Sequence, residues 1–108
     1  MQNSKTEAYI GFCLRAGKLT AGINAAAAIR KGVYLLIADR SVSDNSRKEI
    51  LSLKRKFGCP LVMTDGLAEL VHKPCCKLAA IRDKSLAEAI FGEAGKGRIT
   101  EYIGGMEE

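Results

Sequence analysis

The run "VYLLIA", Val33 to Ala38, constrains the fold of this chain more than any other feature. Six successive apolar residues leave no polar face, and the run is of strand length, so it predicts a strand buried on both sides. Such a strand needs helices on both faces of its sheet. Two further apolar runs, "PLVMT" at Pro60–Thr64 and "KLAAI" at Lys77–Ile81, repeat the pattern.

Helical patterns fill the intervals. Tyr9, Ile10, Cys13 and Leu14 place an amphipathic helix over Ser4–Arg15, which Ala16-Gly17 ends. A short extended piece, Lys18–Thr20, leads to a second helix over Ile23–Arg30, where four alanines supply propensity and Gly32 supplies the C-terminal cap. Ser43 or Asp44 caps a helix buried along Ile50, Leu53 and Phe57, with Arg47, Lys48, Lys54, Arg55 and Lys56 turned outward and Gly58 stopping it. Leu67–Val71 and Ser85–Phe91 complete the set. The alternation predicts an α/β fold with the sheet between helical layers.

At 108 residues the chain makes one domain, long enough to bury roughly 60–70% of its unfolded surface. The closing stretch "GEAGKGRITEYIGGMEE" has five glycines in seventeen residues and little periodicity. Residues 1–92 are therefore the expected domain, and 93–108 a flexible or weakly docked tail. "GEAGKG" is no phosphate loop, because it lacks the spacing, the following Ser or Thr and the preceding strand.

Apolar content of 47% and charged content of 27% suit a soluble globule, and no apolar run approaches the about 18–20 residues of a membrane span. "MQNSKTEAY" lacks the apolar centre of a signal peptide, so the expectation is a cytoplasmic protein without a membrane partner. The four cysteines, Cys13, Cys59, Cys75 and Cys76, match no secreted framework and are expected to be reduced. "HKPCC" has no second ligand pair at zinc-finger spacing, and neither metal nor cofactor is expected.

Charge is unevenly spread. Residues 1–57 carry eleven Lys and Arg against four Asp and Glu, whereas residues 58–108 carry six against eight. A basic first half suits an anionic partner such as nucleic acid, or is simply a solvated face. No catalytic set accompanies it: there is one histidine, and Asp39, Asp65 and Asp83 follow strands, where acids form turns and caps. The expectation is a protein that is not an enzyme.

The segment "RAGKLTAGINAAAAIRKG", Arg15–Gly32, concentrates basic side chains, glycines and one amide where a helix begins. Gly17 and Gly22 would let a phosphate backbone approach, the helix start offers N–H groups, and Asn24 both donates and accepts. Lys18, Arg30 and Lys31 could neutralise phosphates. Equally, the glycines are turn residues and Asn24 an ordinary first-turn residue.

"LRAGKLTAGINAAAAIRKG" followed by "YLLIADRSVSDNSRKEI", "GCPLVMT" and "LAELVHKPCCKLAAIRDKSLAEAI" resembles the superfamily of kink-turn RNA-binding ribosomal proteins, that of large-subunit proteins seven-Ae and thirty-e, and most of all its small bacterial members. The likeness spans about residues 5–92. It implies a three-layer α-β-α sandwich with a four-stranded mixed sheet. It also implies binding to structured RNA, ribosomal RNA among the candidates, at a sharp bend with tandem sheared G·A pairs. Gly22 and Asn24 match the family's Gly-x-Asn, and Lys31-Gly32 its closing basic-Gly pair. Ala28 stands where binders carry a lysine, and the interval to the closing glycine is one residue shorter. The family's loop on a flipped-out nucleotide corresponds to His72, Lys73, Pro74, Cys75 and Cys76. The implied RNA-binding set is Lys18, Gly22, Asn24, Arg30, Lys31, His72, Lys73, Pro74 and Cys75. The alternative is a protein-interaction or homodimer module on the same fold, using a small-residue face at Ala25–Ala28.

Overall fold

The computed structural model describes residues 4–93 and 99–101. Ser4–Arg15 is α1, Leu19–Ala21 β1, Ile23–Ala27 α2, Leu35–Asp39 β2 and Asp44–Phe57 α3. Leu61–Thr64 is β3, Leu67–Val71 α4, Leu78–Ile81 β4, Lys84–Gly92 α5 and Ile99–Glu101 β5. The strands form one mixed sheet in the order β1-β4-β2-β3-β5. Only β2 and β3 run parallel; β4 is antiparallel to β1 and β2, and β5 to β3. The first four strands are those the sequence pattern predicts, and β5 adds a fifth within the glycine-rich tail. The remainder of that tail, 94–98 and 102–108, lies outside the described residues.

Alternation along the central strands makes two cores. Leu35 and Ile37 of β2, Val62 of β3, and Ala79 and Ile81 of β4 pack with Ile10 and Cys13 of α1, Leu67, Leu70 and Val71 of α4, and Ala87 and Ile90 of α5. Leu36, Ala38, Leu61, Leu78 and Ala80 face the other way, against Ala26 of α2 and Ile50 and Leu53 of α3. A strand with side chains buried on both faces reads as a continuous apolar run, and this is the physical origin of "LLIA"; the strand begins two residues later than expected, because Val33 and Tyr34 precede β2 and Tyr34 is exposed. The result is a sandwich: α1, α4 and α5 on one face, α2 and α3 on the other.

Local signals set most boundaries. Ser43 caps α3, its Oγ accepting from the Ser46 N–H at 3.1 Å, and Gly58 closes the helix in the left-handed conformation. At the end of α1, Gly17 (φ 69°) makes the paired bonds of a Schellman turn, Gly17 N–H to Leu14 O and Lys18 N–H to Cys13 O. Gly17 is thus a helix terminator, and its carbonyl accepts from Arg82 Nη2 at 2.6 Å.

The second helix departs from expectation. It ends at Ala27, with Ala28 as cap, rather than running to Arg30 and closing on Gly32. Two long-range demands overrule the alanine propensity: Ile29 and Val33 turn into the core beneath α3, and Lys56 Nζ takes the carbonyls of Ala27 and Ile29.

Asp39, at the buried end of β2, ties the sheet to α4. Its Oδ1 accepts from Ser41 N–H at 2.9 Å and Ser41 Oγ at 2.7 Å, and its Oδ2 from the Leu67 N–H that starts α4, at 2.9 Å. Burial pushes its carboxyl up, but the Ser41 and Leu67 hydrogen bonds and the Lys77 charge outweigh burial and leave it below the ordinary carboxylate value. A depressed folded pKa stabilises above the unfolded value of about 4 and is lost as pH falls through the folded one. Asp39→Ala, which strands the buried Leu67 N–H and frees the partly buried Ser41 N–H, should cost about 1–3 kcal/mol at neutral pH in urea unfolding and should flatten the acid limb of the stability profile below about pH 4. An unchanged acid limb would show that Asp39 is not the titrating group.

Candidate functional site

Pairing of β1 with β4 carries the chain on from Ala21, opposite Ala79, to Gly22, whose N–H donates to Leu78 O at 2.7 Å. Gly22 then turns with φ 104° and ψ 145°, a region essentially confined to glycine, and caps α2 with no side-chain acceptor. Asn24 and Ala25 follow, both exposed. Helix α2 has only five residues, too few for an appreciable dipole, so the N–H groups expected to draw an anion offer local hydrogen bonds rather than a field.

From the other side comes the segment after α4. His72 (φ 57°) closes that helix in the left-handed conformation, and its N–H and that of Lys73 both reach Ala68 O. Cys75 repeats the left-handed conformation at φ 60°. Two non-glycine residues so placed in four positions hold strain on the order of 1–2 kcal/mol each. Cys76 turns inward, where its Sγ donates to Leu78 O at 3.3 Å, the carbonyl that also accepts from Gly22. One oxygen thus joins the two halves.

Between them lies an open concavity of about 290 Å³ lined by Gly22, Ile23, Asn24, Lys73, Pro74, Cys75, Cys76, Lys77 and Glu49. Of the residues singled out from sequence, Gly22, Asn24, Lys73, Pro74 and Cys75 meet here, although about fifty positions separate the two groups. Lys18, Arg30 and Lys31 are exposed but do not line it. His72 lines a different depression, with Glu7, Gly11, Glu69 and Leu70.

Two charged lining residues, Glu49 and Lys77, stand outside the set expected from sequence. Glu49 comes from α3, and its signal is that it is an acid among Arg47, Lys48 and Lys54–Lys56, one position before the buried Ile50. Lys77 lies just before β4; its Nζ donates to Ser41 Oγ at 2.6 Å, and Ser41 in turn donates to Asp39. Asp39 therefore orients Lys77 at the rim as well as starting α4.

The remaining acids act structurally. Asp83 caps α5 through Leu86 N–H at 2.8 Å, and Asp65 pairs with Arg40 at 3.0 Å on the surface. Among the described residues no group of three or more His, Cys, Asp and Glu side chains is placed to hold a metal ion. No helix among them is long and apolar enough to cross a membrane. Burial pushes the Cys13 and Cys59 thiols up to about 11, Cys13 with help from Asp83, and raises that of Cys76.

No protein-family model matches the chain, and no curated protein does. Among solved structures, that of a protein with unknown function from Bacillus halodurans C superposes with a TM-score of 0.69 at 16% identity, over 83% of this chain and 96% of that one. The likeness extends the three-layer fold to a second protein.

The four thiols differ sharply in access: Cys75 is exposed while Cys13, Cys59 and Cys76 are buried. Brief alkylation of the native protein should add one label, at Cys75, and alkylation in denaturant four, by mass spectrometry. A rapid second label at Cys76 would mean that the loop does not hold its thiol against Leu78.

Proposed function

We propose that this chain is a non-enzymatic, cytoplasmic RNA-binding protein that recognises a sharply bent, kink-turn-like RNA through the concavity between the start of α2 and the 73–77 loop. The observation that carries the reading is the meeting of Gly22 and Asn24 with Lys73, Pro74 and Cys75 around one open recess. Recognition of RNA by sequence targets unstacked bases in bends and bulges, and needs a recess with donors and acceptors beside charges for the backbone. Asn24 supplies a donor and an acceptor in one side chain. Lys73 and Lys77 supply charge at the rim, and Arg30 and Lys31 supply it beyond α2, outside the recess.

Glu49 sharpens the reading. A carboxylate in this recess repels phosphate, so its use to RNA lies in accepting hydrogen bonds from the amino or imino groups of an unpaired base. Ala28 is exposed at the end of α2, so a lysine there would reach solvent. Its absence implies weaker binding than in the family's lysine-bearing members.

The test is a titration of labelled kink-turn RNA and a matched straight duplex with variants of the full chain. Asn24→Ala should weaken bent-RNA binding by about 1–3 kcal/mol and leave duplex binding nearly unchanged, since an amide reads bases and carries no charge. Lys31→Ala should weaken both and reduce the salt slope by roughly one phosphate contact. Glu49→Gln should weaken bent-RNA binding while tightening duplex binding, a sign reversal that phosphate attraction alone does not produce. Equal, weak binding of both RNAs by the wild type would instead favour the protein-interaction reading.

A further inference from the structure

The basic residues of α3 are not equivalent. Lys56, exposed in the last turn, reaches over the surface to the neighbouring α2 segment: its Nζ lies 3.0 Å from Ala27 O and 2.8 Å from Ile29 O. Its ammonium also sits 5.1 Å from the centre of the adjacent Phe57 ring. The first carbonyl belongs to the last residue of α2, where the helix needs partners most, and the second lies two residues further on, in the turn that follows it.

Helix α2 has little else to hold it. It spans five residues, far below the length at which a helix is stable alone, and begins at a glycine with no side-chain cap. It ends at Ala28 in an ordinary right-handed conformation, without a left-handed residue to turn its carbonyls inward. Within it only Ala26 is fully buried, and Ile23 and Ile29 beside it are half-buried. By contrast α3 has fourteen residues, a Ser43 cap, a Gly58 terminator and two buried anchors, Ile50 and Leu53.

We infer that Lys56 is a positioning residue: it pins the carbonyl end of α2 to α3 and so fixes the segment that presents Asn24 to the concavity. Its three donors satisfy two carbonyls at once, and its charge is favourable at a helix C-terminus. A lysine engaged in this way does not serve as a phosphate contact. The consequence for affinity rests on the RNA reading given above; the consequence for the order of α2 does not.

Two readouts on the full-length protein separate the possibilities. Amide hydrogen exchange without RNA reports α2 directly, through Ala26, Ala28 and Ile29, whose N–H groups bond to Gly22 O, to Asn24 O and Ala25 O, and to Ala26 O. In Lys56→Met these three amides should exchange about tenfold faster while those of Ile50 and Leu53 keep their protection, and Lys56→Arg, which keeps two donors, should restore them. Affinity for kink-turn RNA should fall about fivefold in Lys56→Met as the competent population drops, with the slope of log K against log salt unchanged. Unchanged exchange at Ala26, Ala28 and Ile29 overturns the inference. So does an affinity loss that flattens the salt slope by one contact, which marks Lys56 as a phosphate ligand. If the wild type shows no preference for the bent RNA, the functional reading fails, and the exchange rates alone decide the role of Lys56.

Discussion

The Leu78 carbonyl holds the candidate site together. It accepts at 2.7 Å from the N–H of Gly22, one residue before α2, and at 3.3 Å from the thiol of Cys76, one residue after the left-handed Cys75. Antiparallel pairing of β1 with β4 is what brings positions 22 and 78 into register. Because a one-residue slip would exchange the buried faces of β4, Leu78 and Ala80 for Ala79 and Ile81, both cores enforce that register. The geometry of the recess therefore inherits the stability of the sheet.

A second link ties the loop to the C-terminal end of β2, which lies beside it: Ala38 pairs with Leu78, and the Asp39 N–H donates to Lys77 O at 2.9 Å. Asp39 starts α4 through Leu67, and through Ser41 it sets the position of Lys77. Helix α4 then delivers His72 and Lys73 to their places, and the left-handed backbones of His72 and Cys75 aim the loop at α2. Strain of this kind persists only where the surroundings over-determine it, here by a buried thiol on one side and a capped helix on the other. Lys56 does the corresponding work for α2. Both halves of the recess are thus short, intrinsically weak segments held by contacts from longer elements.

Those contacts explain what the sequence could and could not reveal. Helices α1, α3 and α4 are legible nearly to the residue, because Gly17, Ser43 and Gly58 act locally and the apolar spacing is strong. The two-sided strands are legible for the same reason. Alanine propensity overextends helix α2 because it is local, whereas Lys56 and the partial burial of Ile29 that end the helix come from elsewhere in the fold. Strand β5 gave no signal, since Ile99–Glu101 is three residues long and sits among glycines. Within the site, the pairing of Asn24 with the 73–75 loop came from resemblance rather than from spacing. Lys77 carries no local signal, and that of Glu49, an acid within a basic helix, marks it as unusual without saying that it meets the 73–77 loop. Charge alone flagged Lys18, Arg30 and Lys31 without saying that they lie outside it.

On the proposed reading, one surface, formed by Gly22–Asn24 and Lys73–Lys77, would meet a bent RNA. The most direct measurement is a titration of isotopically labelled protein with kink-turn RNA, followed by amide chemical shifts. The largest shifts are expected at Gly22, Ile23, Asn24, Lys73, Cys75 and Lys77, with smaller ones at Lys31. Shifts absent from those residues and concentrated instead on the α1–α5 face of the sandwich would contradict that reading.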